Sequence, residues 1–320
     1  DLANVESEYV VMRLTDARSV YKNSYYFASG EYKLGTRDTS ESKDSFQPFA
    51  SIIYSFLLSN NLRMFHEGEE GDNSAYFPDS FLNPDFTSDS VRFRSVTNLV
   101  QLKFHESPRK KYSFGKRAFA GVEFDRSSYA APGYSEPIYP FHPGTYDNNG
   151  YSGPPVRWNT KSYSNAFVGG GIFRRAGKFW NWNFDGRQYL TGFKAGQTEL
   201  NGTISKPIHL FKDSLSLFVI KGNLWNLRPD YFQQNYFSNR VKWNNDLVNE
   251  QIMNASCSIN TPGNHLDAGF RYSLINNFIY HDTLGIPAQT KNELLILSAY
   301  LNKAFHLGNF TLSTHCTWQK

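Results

Sequence analysis

Polar and apolar residues alternate along most of this chain with a period of two. The stretch Lys178–Phe193 shows the pattern most fully. Trp180, Trp182, Phe184, Gly186 and Leu190 share one parity, broken only by Gln188, and Asn181, Asn183, Asp185, Arg187 and Thr191 share the other. A period of two places the sets on opposite faces of a strand. Ordinary strands run about 5–6 residues. This one runs roughly twice that, the length a tilted strand needs to cross a bilayer. The two Trp that open its apolar face suit a membrane interface.

The alternation recurs. Glu8–Thr15, Ser24–Thr36 and Pro48–Leu58 are expected strands in a less regular first part, and residues 59–90 are expected to be a long loop, acidic over Glu67–Asp72. From there the strands are regular: Val91–His105, Lys116–Ser127, Ser162–Arg174, the stretch above, Gln197–Lys206, Ser214–Leu224, Leu247–Ile259, His265–Phe278, Lys291–Ala304 and Phe310–Gln319. No helical period separates them, so the sheet should be an antiparallel meander. Connections near 107–113, 175–177, 207–213, 260–264 and 305–309 are short. Those at 128–161, 225–246 and 279–290 are longer, and 191–196 is the exception. Short turns at one end and long loops at the other are the layout of outer-membrane barrels. A soluble propeller or sandwich also meanders, but with shorter strands and more equal ends.

The fold class expected is therefore all-β, an antiparallel meander closing as a transmembrane β-barrel. Residues 1–320 are expected to form a single β-barrel domain, less regular over 1–90 and a regular meander over 91–320. Roughly 13 strands is an odd count, whereas single-chain bacterial barrels use even ones. The last strand pattern also runs to the end of the sequence, so this is expected to be a partial barrel lacking C-terminal strands.

Composition adds limits. Aromatics make up 17% and charged residues 19%, the reverse of a disordered chain. No apolar run is long enough for a membrane helix. The net charge is +4, but the Lys and Arg are scattered, with one cluster at Arg109–Lys111, so no nucleic-acid partner is expected. Cys257 and Cys316 form no metal spacing. Both fall on the apolar parity of strands that are not neighbours, and they read as small apolar fillers.

Motifs of catalysis are not recognisable. Gly169-Gly170-Gly171 lacks the helix start of a phosphate loop and reads as a bend or a close approach within a strand. Glu67–Asp72 lacks the ligand spacing of a calcium loop. No enzyme activity, cofactor or metal is expected. Function is expected on the polar parity, where Glu123, Asp125, Asn181, Asn183, Asp185, Arg187, Glu199, Asn201, Glu250, Asn254, Asp267, Arg271 and Asn277 are candidate lumen-lining residues. Charges of both signs across a wet lumen tune ion preference. Lys206, Lys221 and Lys303 fall on the apolar parity near strand ends, where long side chains snorkel.

Several stretches stand out: Val241-Lys-Trp-Asn-Asn, Asn277-Phe-Ile-Tyr-His-Asp, Pro287-Ala-Gln, Leu301-Asn-Lys-Ala-Phe, Trp318-Gln-Lys, the strand end Ser127–Tyr129 and the Gly169–Gly171 strand. Together they resemble the putative porin family of Bacteroidetes outer membranes. The resemblance covers residues 90–320. It implies location in the cell outer membrane, contact with outer-membrane lipid and a channel for passive passage of small polar solutes or ions. It carries no catalytic motif. The alternatives are a non-transporting binding or scaffold barrel and a soluble β-rich glycan-binding module.

Overall fold

A computed structural model describes residues 17–38, 45–67, 81, 87–107, 113–130, 159–175, 180–211 and 214–320. Eight long strands follow in order: β1 (Ala17–Asp38), β2 (Ser45–Glu67), β3 (Thr87–Phe104), β4 (Gly115–Ala130), β5 (Asn159–Arg174), β6 (Asn181–Thr191), β7 (Thr198–Phe211) and β8 (Ser214–Leu227). A one-turn helix α1 (Tyr231–Gln234) and a small hairpin, β9 (Asn235–Phe237) with β10 (Lys242–Asn244), come next. Then follow β11 (Glu250–Thr261), β12 (Leu266–Asn276), the hairpin of β13 (Ile279–His281) and β14 (Pro287–Gln289), β15 (Leu294–Leu307) and β16 (Phe310–Gln319). The twelve long strands form one sheet in the order β1-β2-β3-β4-β5-β6-β7-β8-β11-β12-β15-β16. Its pairs are antiparallel throughout, the meander expected from the alternation.

The burial pattern is that of a globular protein turned inside out. Leu200, Leu224, Met253, Leu274 and Leu295 pair across five strands in one row. Of these, Leu200, Leu224, Met253 and Leu295 are exposed. Phe124, Phe184, Phe270 and Leu301 are exposed on the same face. The opposite face buries Glu67, Asp89, Glu123, Asp125 and Asn165. An apolar surface this extensive needs a non-aqueous neighbour, and alternate residues facing lipid are the mark of a spanning barrel. Among the described residues no helix is long and apolar enough to cross a membrane.

Several strands run further than the alternation predicts. Residues 59–67 continue β2 and residues 87–90 open β3, so the expected loop 59–90 is shorter at both ends. Residues 128–130 belong to β4 and 159–161 to β5. Pro207, expected to start a turn, lies inside β7 opposite Leu217. Among the described residues the pairing of β7 with β6 ends at Ser205, so Pro207 lies beyond that ladder, and proline is tolerated in a sheet at such edge positions. The expected strand Glu8–Thr15 and most of the turn 107–113 lie outside the described residues. Cys257 and Cys316 are free and exposed, and they pair with Ile220, Phe270 and Leu301 on the apolar face.

Candidate functional site

Residues directly opposite in neighbouring strands put their side chains on the same face, so the register can be followed across the sheet. Glu123 and Asp125 pair with Asn165 and Tyr163. Asn181, Asn183, Asp185 and Arg187 pair with Ser205, Thr203, Asn201 and Glu199. Asn201 pairs with Asn223, and Asn223 with Asn254. Glu250 pairs with Leu227, Arg271 with Ser256 and Asp267 with Asn260. All the strand residues expected on the polar parity share one face. Asn277 lies just past β12 at φ 57 and donates from Nδ2 to the Asn249 carbonyl at 3.0 Å.

Some of these side chains meet and others do not. Arg117 of β4 donates to Asp185 of β6 at 2.8 Å. It crosses β5 at Gly171, where an added Cβ would lie 3.0 Å from Arg117 Nε. Asp185 also accepts from Asn183 Nδ2 at 2.9 Å and from Asn201 Nδ2 at 3.4 Å. Asn223 and Trp225 Nε1 both donate to Asn201 Oδ1, at 3.2 and 2.9 Å. Arg187 lies over the Phe167 ring, 4.8 Å from its centre. Glu199 accepts from Gln197 Nε2 at 3.0 Å. Far along the sheet, Asp267 accepts from the Tyr300 hydroxyl at 3.3 Å, and Glu250 accepts the Ile279 N–H at 3.4 Å. The glycine run is thus a close approach: a Cβ at Gly169 would lie 2.2 Å from Phe119 Cζ.

Two connections fold back over this face. The turn 192–197 carries Lys194 onto Glu123, and onto Asp125 at 3.3 Å. Gly192 makes the turn possible at φ +86, with room for a Cβ blocked by the Ser164 carbonyl. The Lys194 N–H also donates to Asn165 Oδ1 at 3.1 Å. Burial works against the Lys194 charge, but the Glu123 and Asp125 carboxylates outweigh it and hold the ammonium above the ordinary lysine range.

The connection 228–249 reaches much further. Arg240 Nε donates to Glu67 Oε2 of β2 at 3.2 Å. The Asn239 N–H donates to Asp89 Oδ2 of β3 at 3.0 Å, and Asn239 Nδ2 to Thr87 Oγ1 at 2.9 Å. The Tyr129 hydroxyl donates to the Asn235 carbonyl, with the Tyr129 ring edge-on to Phe232 at 5.0 Å. Tyr163 packs on Tyr231 at 5.5 Å and on Phe193 at 4.8 Å. Burial raises the Asp230 carboxyl above its usual range. A loop leaving β8 is therefore anchored on β2, β3 and β4.

The sequence reading has 225–246 as a long loop and gives no sign of this return. Arg117, Lys194, Asn223, Trp225, Asn239 and Arg240 are not among its candidates. Lys221 is a correction: it pairs with Thr203 and Ser256 and so sits on the polar face, not the apolar one. Val219, Trp225 and Leu227 share that face, so β8 is apolar on both sides and parity alone misplaces Lys221. Lys206, over the Trp180 ring at 5.0 Å, and Lys303, over Phe305 at 5.5 Å, are on the apolar face as expected.

The family model for putative porins matches residues 1–320, the whole chain and not only the stretch from residue 90. Among solved structures, a copper transporter (OprC) aligns over 96% of this chain and 48% of its own, at TM-score 0.61 and 10% identity. A mutant of the ferric enterobactin receptor from Pseudomonas aeruginosa aligns over 95% and 44%, at 0.56 and 12%. The RagAB peptide transporter aligns over 95% and 37%, at 0.51 and 9%. The chain spans less than half the length of each, and at such identities the likeness is one of fold, that of outer-membrane barrels. The comparison with curated proteins returns no match.

Proposed function

The chain belongs to the putative porin family and is an outer-membrane β-barrel protein, and from that premise we propose that the whole protein is a passive channel for small polar solutes or ions. The polar face lines the lumen, the apolar face meets lipid, and the long connections lie outside the cell. The observation that carries the reading is the Arg117–Asp185 pair. Both side chains keep 24% of their surface exposed. Ionised groups are costly to bury, so partly exposed charges bonded to Asn183 and Asn201 suit a wet interior. The apolar rows on the other face suit lipid.

The connection 228–249 narrows this path. Loop residues folded over the polar face favour a constricted pore over a wide one. A barrel narrowed to closure would serve as a binding scaffold, and that is the second reading. Planar-bilayer recording on the full-length protein separates the two: a small, steady conductance supports the channel, and silence supports the scaffold. Cysteine labelling on intact cells checks orientation. Positions in 277–293 should react and positions in the turn Thr261–Asn264 should not; the reverse would invert the barrel.

A further inference from the structure

The apolar face carries a feature that a lipid-facing wall does not require. At the end of the sheet that bears the long connections, two adjacent rows cross β1 to β5. One pairs Lys22, Leu62, Arg92, Ser128 and Thr160, and the other Ser24, Asn60, Arg94, Arg126 and Ser162. The next row inward is Tyr26, Leu58, Val96, Phe124 and Ser164, so the cations sit at the rim of the apolar band. Arg18 lies on the same face two rows further out. No carboxylate occupies this face beyond the apolar band on the described residues of β1 to β5.

Arg92, Arg94, Arg126 and Ser128 surround one cleft of about 120 Å³. Beside it lies a larger depression of about 420 Å³, floored by Val96 and Phe124, edged by Arg94, Arg126, Ser162 and Ser164, and bordered by Asp125 and Tyr163, which belong to the opposite parity. The feature is local. At the same end, the outward row of β6 to β12 pairs Gln188, Thr198, Asn226, Gln251 and Asn276, all neutral. Long cations that only snorkel need no such clustering, and on that row of β6 to β12 none is present.

We propose that Lys22, Arg94 and Arg126 form a binding site for the phosphate groups of a glycolipid in the outer leaflet. Guanidinium forks match phosphate oxygens in pairs. The cleft offers room for one phosphate, and the Val96–Phe124 floor receives the start of an acyl chain. Charge and position together commit the site to a lipid: its cations lie on the apolar face at the rim of the apolar band, not on the polar face. The inference rests on the reading of the apolar face as the lipid face and of the long connections as external.

The test uses full-length protein immobilised in zwitterionic detergent and exposed to phosphatidylcholine bicelles containing diphosphoryl lipid A. Binding should depend on the phosphates, fall with salt, and weaken by roughly tenfold in the Arg94→Gln/Arg126→Gln double variant. Arg94→Lys/Arg126→Lys should keep part of it, and Asn226→Ala on the neutral sector should change nothing. Equal binding of dephosphorylated lipid, equal binding by the double Gln variant, or equal competition by inorganic phosphate would overturn the proposal. A heat-dependent gel shift is run on every sample. Wild type with the shift but without phosphate-dependent binding defeats this inference alone; wild type without the shift defeats the barrel reading as well.

Discussion

Arg117 bonds Asp185 at 2.8 Å across an intervening strand, through a gap left open by Gly171. A side chain at residue 171 would meet the Phe184 carbonyl at 2.6 Å as well as the guanidinium. Gly171→Val should therefore uncouple the pair. A double-mutant cycle on Arg117→Ala and Asp185→Asn should give a coupling of about 0.5–1 kcal/mol in the native background, since the pair is partly exposed. In Gly171→Val it should fall to near zero by urea titration in lipid vesicles.

The two faces should differ in their tolerance of charge. Leu224→Lys, in the middle of the apolar row, should cost about 2–4 kcal/mol if it lies near the bilayer midplane and should impair assembly. Glu199→Lys on the polar face should fold, judged by the heat-dependent gel shift. Equal tolerance at both positions would count against the assignment of faces.

The anchor of the connection 228–249 is nearly buried. Arg240 and Glu67 retain 7% and 1% of their side-chain surface. Removing one partner of a buried pair leaves an uncompensated charge, at a cost of about 3–5 kcal/mol. Arg240→Ala should release the loop, making it sensitive to protease on intact cells and raising single-channel conductance. A loop that stays resistant at wild-type conductance would show that the Asn239 bonds to Asp89 and Thr87 and the aromatic contacts of Tyr129 and Tyr163 hold it without Arg240.

Lys194 gives a pH prediction. Its folded-state pKa is raised, so its contribution is fully present below the unfolded value of about 10.4 and is lost as pH rises through the higher folded value. The stability gap between wild type and Lys194→Met should stay level from about pH 7 to 10 and shrink only above that. Urea midpoints across that range check it. A gap that shrinks near neutral pH would contradict the bridge to Glu123 and Asp125.

The sheet was largely legible because period two is a local signal. Asp185 and Arg187 declare their face by their neighbours, and so does the row of Leu200. Lys221 does not, because its strand is apolar on both sides. Arg117 lies on the expected face, but its partner is two strands away and depends on a glycine between them. Asn239 and Arg240 bond residues far off in sequence, and an irregular loop has no period from which such contacts could be read. Pro207 is not legible as a strand residue, because its place beyond the end of the neighbouring ladder depends on register.

The channel claim is tested most directly by ion selectivity. Asp185 and Glu199 are read as facing the permeation path. Reversal potentials across a planar bilayer, under a salt gradient, are measured for the full-length protein and for Asp185→Lys and Glu199→Lys. The account predicts conductance in all three and a shift toward anions in both variants. Conductance with unchanged selectivity in both variants would contradict the placement of these residues, and no conductance in the wild type would contradict the channel itself.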